Sequence, residues 1–464
     1  MLLQFTDGTT TVSFSYAVTG HLLRRYTPQT PDYDYVDSRS ALIDGGELPV
    51  STFRDVTETC EVAWTGTLAQ QRAAVQTLNR LFHQARHRQR TGMGDRVWVQ
   101  FQPIAVETAW ESEVFSGRVQ VDDTYRAGLQ LASEQLLSQI VFTRRYYWEG
   151  EEDTLPLAND NAFNVTDGLT VYNTTDDGGD YEVRVNYVDI LGTDVDGDLP
   201  TPLILELENT YDVAADLSWV WIAANIRSNP SDLSHHLEGE DTFGGSTNNV
   251  ATASSGSYQT FTTALDTQVA IFDWTLTSDV LTDCAGNWFQ IMWRSTEDLR
   301  FIWFEWELHA GSTTVWRSDE FQVDRSVATA VRAAGAVRLP PWLPGLDSSV
   351  QLGLKLYGRK TGGFGCTIDF LEFWALDSYA VLFGSSGYVE YGDTLVYDGI
   401  EKTTYVESIL GNAGTFTAYA GPIMAEPGND ERLYFLQHAN LADVAEVDRT
   451  MKVVAKYRPR RLSL

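Results

Sequence analysis

The apolar positions of this chain change period several times, and each change marks an element. Val56, Glu58, Cys60, Val62 and Trp64 fall on one face of an alternating segment, with Thr57, Thr59, Glu61, Ala63 and Thr65 on the other. A period of two belongs to a half-buried strand. From Thr67 to Arg90 the period becomes helical, with Leu68, Val75, Leu78, Leu81, Phe82 and Ala85 on one stripe. Thr67 with Gln70 predicts a capping box. Arg86, His87, Arg88 and Arg90 crowd the last turn, where positive charge suits the helix dipole, and Gly92 is placed to end it, so a helix is expected over 67–91. Val97, Trp98, Val99 and Phe101 resume as a strand. The block predicts an amphipathic helix on a twisted antiparallel sheet, a scaffold with nothing catalytic in it.

Elsewhere the pattern is almost entirely β. Before the helix, 11–16 is the clearest strand, and Pro28, Pro31, Gly45, Gly46 and Pro49 punctuate loops. The stretch 29–39, with Tyr33 and Tyr35, has no strong period and reads either as a β-arm reaching a neighbouring subunit or as a plain surface loop. Strands are expected at 114–121 and 129–142, the second leaving the domain, and the acidic run 149–153 before Pro156 suits a boundary. Strong strands follow at 203–207 and 219–224. Residues 235–375 form a unit of their own, with strands at 269–276, 288–293, 301–308, 350–357 and 367–375. Ile302, Phe304, Trp306 and Leu308 make a core stripe there, opposite Phe301, Trp303, Glu305 and Glu307. Short strands with Gly and Pro turns and no helix predict a jelly-roll sandwich. Short strands return at 379–383, 388–391, 394–397, 433–436 and 451–457, before a basic tail, Arg458-Pro459-Arg460-Arg461. The expected fold is mainly β with one prominent helix: an α+β domain over 1–154, a discontinuous sandwich over 155–234 and 376–464, and a jelly roll inserted at 235–375.

Size and charge narrow the function. At 464 residues the chain is too long for one core, and 43% hydrophobic content marks it as folded. Its 64 acidic against 33 basic residues give a formal charge of −31, which repels nucleic-acid phosphates and anionic lipid and argues against groove binding. Such a surface suits a wall past which DNA slides without sticking. Of three cysteines, Cys60 reads as a small core residue, and Cys284 and Cys366 have no zinc-type neighbours. With no signal-peptide pattern and no apolar run long enough to span a bilayer, a soluble protein made in the cytoplasm is expected.

Catalytic patterns are sparse. His83 and His87 are four apart on the helix without an HExxH frame and read as solvated last-turn residues. Glu305 and Glu307 could serve glycoside hydrolysis, although such pairs arise readily among 64 acids. Thr193-Asp194-Val195-Asp196-Gly197-Asp198 has the alternation of a calcium loop but lacks the twelfth-position glutamate, so an acidic turn before Pro200 fits better. Tryptophans are dense in 235–375, among them Trp288, Trp293, Trp303, Trp306, Trp316, Trp342 and Trp374, most of them needed for its core. Trp342, in the stiff loop Leu339-Pro340-Pro341-Trp342-Leu343-Pro344-Gly345, is a candidate sugar-stacking ring, with loop packing as the alternative.

The strand, helix and strand block followed by an all-β domain resembles the distal tail proteins of long-tailed bacteriophages. Gly421-Pro422, Pro427-Gly428, Arg432-Leu433-Tyr434-Phe435-Leu436 and the terminal strand with its basic tail add to the resemblance, and Gly197-Asp198-Leu199-Pro200-Thr201-Pro202 looks like the approach to that family's galectin-like domain. The resemblance covers 1–234 and 376–464. It implies a non-enzymatic virion protein assembled in the host cytoplasm. It implies a ring, usually a hexamer, at the end of the tail tube, joining tube protein to tip or hub proteins and letting DNA pass. Tyr33 and Tyr35 are the candidate ring-interface residues. The insert resembles carbohydrate-binding modules of the galactose-binding-like type, with Glu238-Gly239-Glu240-Asp241 at its opening and Thr367-Ile368-Asp369-Phe370 at its close. That resemblance implies a structural calcium held by Glu238, Glu240 and Asp369, and an outward face for host surface glycans. The alternatives are a stand-alone carbohydrate-binding adhesin and a glycan hydrolase.

Overall fold

The computed structural model describes residues 1–16, 21–36, 50–104, 107–121, 136–157, 169–171, 187–210, 217–225, 234–238, 246–249, 257–263, 268–275, 288–294, 302–310, 313–319, 331–338, 350–358, 364–368, 370–376, 378–384, 389–408, 416–419, 422–439 and 449–464. The protein is mainly β, with one α-helix among these residues. It divides into two compact units. Unit 1 holds Met1–Asp153, Asp196–Thr201 and Arg458–Leu464, and unit 2 holds Thr154–Val195 and Pro202–Tyr457.

In unit 1 the strands are β1 (Leu2–Thr6), β2 (Thr11–Ser15), β3 (His21–Arg25), β4 (Tyr33–Val36), β5 (Val50–Phe53) and β6 (Val56–Trp64). The helix α1 (Leu68–Thr91) follows, then β7 (Trp98–Gln102), β8 (Trp110–Val121), β9 (Leu136–Arg144) and β10 (Trp148–Glu149). The pairing order β8-β7-β1-β2-β3-β6-β9 returns to β8, so seven strands close on one another and leave no free edge among themselves. Alternation aims Leu3, Phe5, Val12, Phe14, Cys60, Val62, Val99, Phe101, Ile140 and Phe142 into a single core. Burial pushes the Cys60 thiol pKa up, which suits a small packed side chain rather than a reactive one. The strand expected to leave the domain at 129–142 does the opposite. Its described part, β9, pairs with β6 on one side and β8 on the other and closes the ring, while 129–135 lie outside the described residues.

Local chemistry sets the ends of α1. Thr67 and Gln70 form the reciprocal capping box, and Gly92 takes the left-handed conformation (φ 71°), donating its N–H to the Arg88 carbonyl. Leu78, Leu81, Phe82 and Ala85 are buried against β8, β1 and β2. The Phe82 ring lies on Gly117 of β8, where an added Cβ would fall 2.5 Å from ring carbon Cδ1. Leu68 departs from the predicted stripe and is 57% exposed. At 100° per residue it is about 80° away from Leu78, on the flank of Arg86, and Gln71 is buried in its stead, donating to the Gly66 carbonyl at 2.8 Å.

Unit 2 contains several sheets. The strands Arg449–Tyr457, Ile204–Asn209, Thr394–Asp398 and Thr403–Glu407 are neighbours in one. Tyr187–Ile190, Glu431–Ala439, Leu217–Asn225, Ser378–Gly384 and Phe416–Tyr419 form another. Val188, Leu205, Leu207, Leu382, Leu395, Leu433 and Phe435 belong to one buried cluster shared by the two sheets, as a sandwich requires. Among the described residues, the strands from Ser234–Glu238 to Phe370–Leu376 pair with each other, in sheets of four, three and four strands.

Candidate functional site

Two constructions in unit 1 fix the parts of the chain that could meet a partner. The first is the root of the β4–β5 hairpin. β4 and β5 pair antiparallel, Tyr33 with Phe53 and Tyr35 with Ser51, and among the described residues this two-stranded ladder has no third strand. The stretch 29–39 thus contains one strand of a hairpin, which fits either an arm or a surface loop, and 37–49 lie outside the described residues. The Phe53 ring stacks on Tyr146 with centroids 5.3 Å apart, and Arg54 N–H donates to the Asp32 carbonyl at 3.2 Å.

Below the hairpin sits a charge pair at 0% exposure on both sides. Arg144 donates from Nε (3.0 Å) and Nη2 (2.7 Å) to Glu58 Oε1. The same oxygen accepts Gln29 N–H at 2.9 Å, and the Tyr26 hydroxyl donates to the other. Arg144 also donates to the carbonyls of Arg145 (2.7 Å) and Gln29 (2.9 Å) and lies over the Trp148 ring at 4.2 Å. Both carboxylate oxygens of Glu58, all three guanidinium nitrogens of Arg144 and the Tyr26 hydroxyl have partners, the condition for a buried charge pair to be tolerated. Burial and the Glu58 carboxylate together push the Tyr26 hydroxyl far above its usual pKa, so it stays a donor. The network holds the chain at Gln29, where the hairpin begins. Its signal was present in the sequence as a glutamate at an inward position of β6 and an arginine at an inward position of β9. Two opposite charges on core-facing registers imply each other.

The second construction is a clasp made by the basic tail. Arg458 donates to Glu111 (2.8 Å), Arg460 to Glu149 by two nitrogens (3.0 and 2.8 Å) and Arg461 to Asp196 (2.8 Å). Arg460–Arg461 adds a short strand to β10. Backbone bonds from Gly150 to the Pro459 carbonyl and from Asp198 to the Arg460 carbonyl close it, with Arg460 over Tyr147 and Arg461 over Trp110. Two of the aspartates weighed as a calcium loop, Asp196 and Asp198, are thus engaged by the tail, with Asp198 also accepting Leu462 N–H at 3.0 Å.

The remaining candidates, apart from the two α1 histidines, fall in unit 2. Trp342, Glu240 and Asp369 lie outside the described residues. Glu238 ends its strand directly across from Phe370, so the opening and closing segments of the insert share one ladder. Among the described residues no group of three His, Cys, Asp or Glu side chains could hold a metal ion. Glu305 and Glu307 share a strand, and both are buried, which corrects a one-sided core stripe. Glu307, at 0% exposure, meets Arg317 Nε at 2.6 Å and His309 Nε2 at 3.1 Å, and Glu305 is 3.9 Å from Arg317. Carboxylates sealed in an arginine pair are not presented to a sugar. His83 and His87 are exposed, as expected of a solvated turn.

No family model matches the chain, and no curated protein matches it. Among solved structures it is similar to the Dit protein of phage SPP1, described as a paradigm of the hub adsorption apparatus in phages infecting Gram-positive bacteria. That likeness has 8% identity and TM-score 0.33 and covers 99% of this chain and 98% of that one. The phage P2 baseplate in its activated conformation with calcium gives 10% identity and TM-score 0.23, over 80% of this chain and 98% of that one. The VP2 subviral particle of infectious bursal disease virus gives 7% identity and TM-score 0.18, over 67% and 80%. With every TM-score below one half, the functional reading rests on the chain's own residues.

Proposed function

We propose that the chain is a non-enzymatic structural protein of a phage tail, a ring component at the distal end of the tube. Copies of unit 1 pack around a passage for DNA, six to a ring as the family resemblance implies. The observation that carries the assembly is the hairpin. A two-stranded ladder is marginal in water by itself, yet this one stands on a root locked by a fully buried ion pair. In this reading a neighbouring copy in a head-to-tail ring completes the ladder, with Tyr33 and Tyr35 at the contact. The tail assignment comes from the sequence resemblance, and the charge of −31 fits a lumen that does not hold DNA. Tube protein on one side and tip or hub proteins on the other complete the assembly.

The strands between Ser234 and Leu376 form the outward module, with Trp342 as its glycan-stacking ring and Glu238, Glu240 and Asp369 as oxygen donors for a calcium that ties its ends together. The register of Glu238 with Phe370 supports a shared site at those ends. The hard oxygen donors fit calcium, which would supply only structural charge there.

Light scattering and negative-stain images of the full chain test the proposal. Rings are expected, and replacing 34–52 by a Gly/Ser linker should release monomers whose thermal unfolding is otherwise kept. A wild-type chain that stays monomeric at high concentration would overturn the ring.

A further inference from the structure

The outer face of α1 carries a charge opposite to that of the chain. The helix has five arginines and no acidic residue in 24 positions, within a chain whose formal charge is −31. Arg72, Arg80, His83, His87 and Arg90 are exposed, as is Arg86, whose guanidinium is taken by its own fold and donates to the Gly117 carbonyl of β8. At 100° and 1.5 Å per residue they fall within an arc of about 120° and run about 27 Å along the axis. The buried residues Leu78, Leu81, Phe82 and Ala85 occupy the opposite arc.

The helix dipole accounts for Arg88 and Arg90 in the last turn, but not for Arg72 near the start or Arg80 in the middle. Arg86 and Arg90, one turn apart, repel each other, so the row gives the isolated helix no benefit. Local helix stability therefore does not explain the ridge, whereas attraction to an acidic surface does.

We infer that this cationic ridge is a docking surface for the acidic surface of a second copy of the chain. This rests on the ring reading above and adds the face through which one side of each copy engages the next. Every copy brings one basic ridge and a large excess of acid elsewhere, so a basic-to-acidic contact is head-to-tail and can repeat around a closed ring. Copies of net charge −31 repel each other overall, and a local complementary contact sets their orientation. A nucleic acid is the competing occupant of a basic helix, and the charge of the rest of the chain works against it.

The test uses the full chain and the double variant R72E/R80E, both positions exposed and outside the core. Helical circular dichroism and the melting curve report whether the variant stays folded. Wild type should form rings at about 0.05 M salt and lose roughly tenfold in association strength by about 0.5 M. The folded variant should be monomeric where wild type is assembled. A photo-crosslinking residue at Gln76, on the same arc, should capture an acidic segment of another copy. A wild-type monomer overturns the ring reading and this inference together. Wild-type rings whose mass is unchanged in R72E/R80E overturn this inference alone. So does a ridge that captures short duplex DNA in wild type and releases it in the variant.

Discussion

Replacing Arg144 by methionine should cost unit 1 more than any surface change could. Methionine fills much of the volume of the arginine stem but supplies no donor. Glu58 would then be left at 0% exposure with only Gln29 N–H and the Tyr26 hydroxyl as partners, having lost two charged donors at 3.0 and 2.7 Å. The carbonyls of Arg145 and Gln29 would lose their guanidinium donors as well. Breaking one side of a buried pair costs about 3–5 kcal/mol, and at about 2–4 °C per kcal/mol for a domain of roughly 150–250 residues this means a fall of about 6–20 °C. Differential scanning calorimetry of the full chain reads it as a downward shift of one transition. The double variant E58Q/R144M distinguishes charge from packing. A neutral amide can still accept Gln29 N–H on its oxygen and, with its nitrogen at the Oε2 position, donate to the Tyr26 hydroxyl, so the double should recover most of the loss, giving a coupling of about 2 kcal/mol or more. Hydrogen exchange at residues 29–32 should rise in the single variant and return toward wild type in the double. An R144M protein melting within about 2 °C of wild type, or a double variant no better than the single, would refute the account of the hairpin root.

Other outcomes follow from the same geometry. G117V should displace the Phe82 ring and α1, lowering the unit 1 transition by about 1–3 kcal/mol, read by denaturant titration; an unchanged midpoint would contradict the packing. Deleting Arg458–Leu464 removes the tail's ion pairs with Glu111, Glu149 and Asp196 and should lower the unit 1 melting temperature, with the loss shrinking at high salt. His21 packs on Phe14 and Trp64, and burial holds its pKa below the usual histidine value. The unfolded chain therefore takes up the proton first as pH falls, so stability is full above the ordinary histidine range and declines below it, and H21F should flatten that slope in melts between about pH 7.5 and 5. Calcium should raise the melting temperature of the wild-type chain in a chelator-reversible way and leave D369N unmoved, while W342A should weaken glycan-array binding without that shift.

Much of unit 1 could be read from period and punctuation. The Val56–Trp64 strand, the capping box at Thr67 and the left-handed Gly92 are local, and each is decided by residues within one or two turns of one another. Leu68 misled because a stripe drawn from residue type alone ignores helical phase. β9 misled for a different reason: an apolar run with aromatics after it looks like an exit, and only its pairing with both β6 and β8 shows that it closes a ring. Sequence alternation says which face of a strand is buried but not which strands lie beside it.

The clasp shows where local reading stops. Asp196 and Asp198 alternate around Gly197 as if to hold a cation, and Arg460 and Arg461 end the chain as a free basic tail would. Neither segment has a local reason to expect the other, more than 260 positions away. Brought together they answer each other's charge. The acids that suggested a metal take guanidinium groups and a backbone N–H, and Arg460 spends its own donors on Glu149. Metal loops and basic tails share composition with ordinary long-range ion pairs, so composition alone overstates both. The ridge on α1 differs, because Arg72 and Arg80 are exposed on the helix and no acidic residue lies within it to answer them. That contrast, between cations met by this chain's own acids and cations turned outward, makes the helix rather than the tail the surface to test for a second copy.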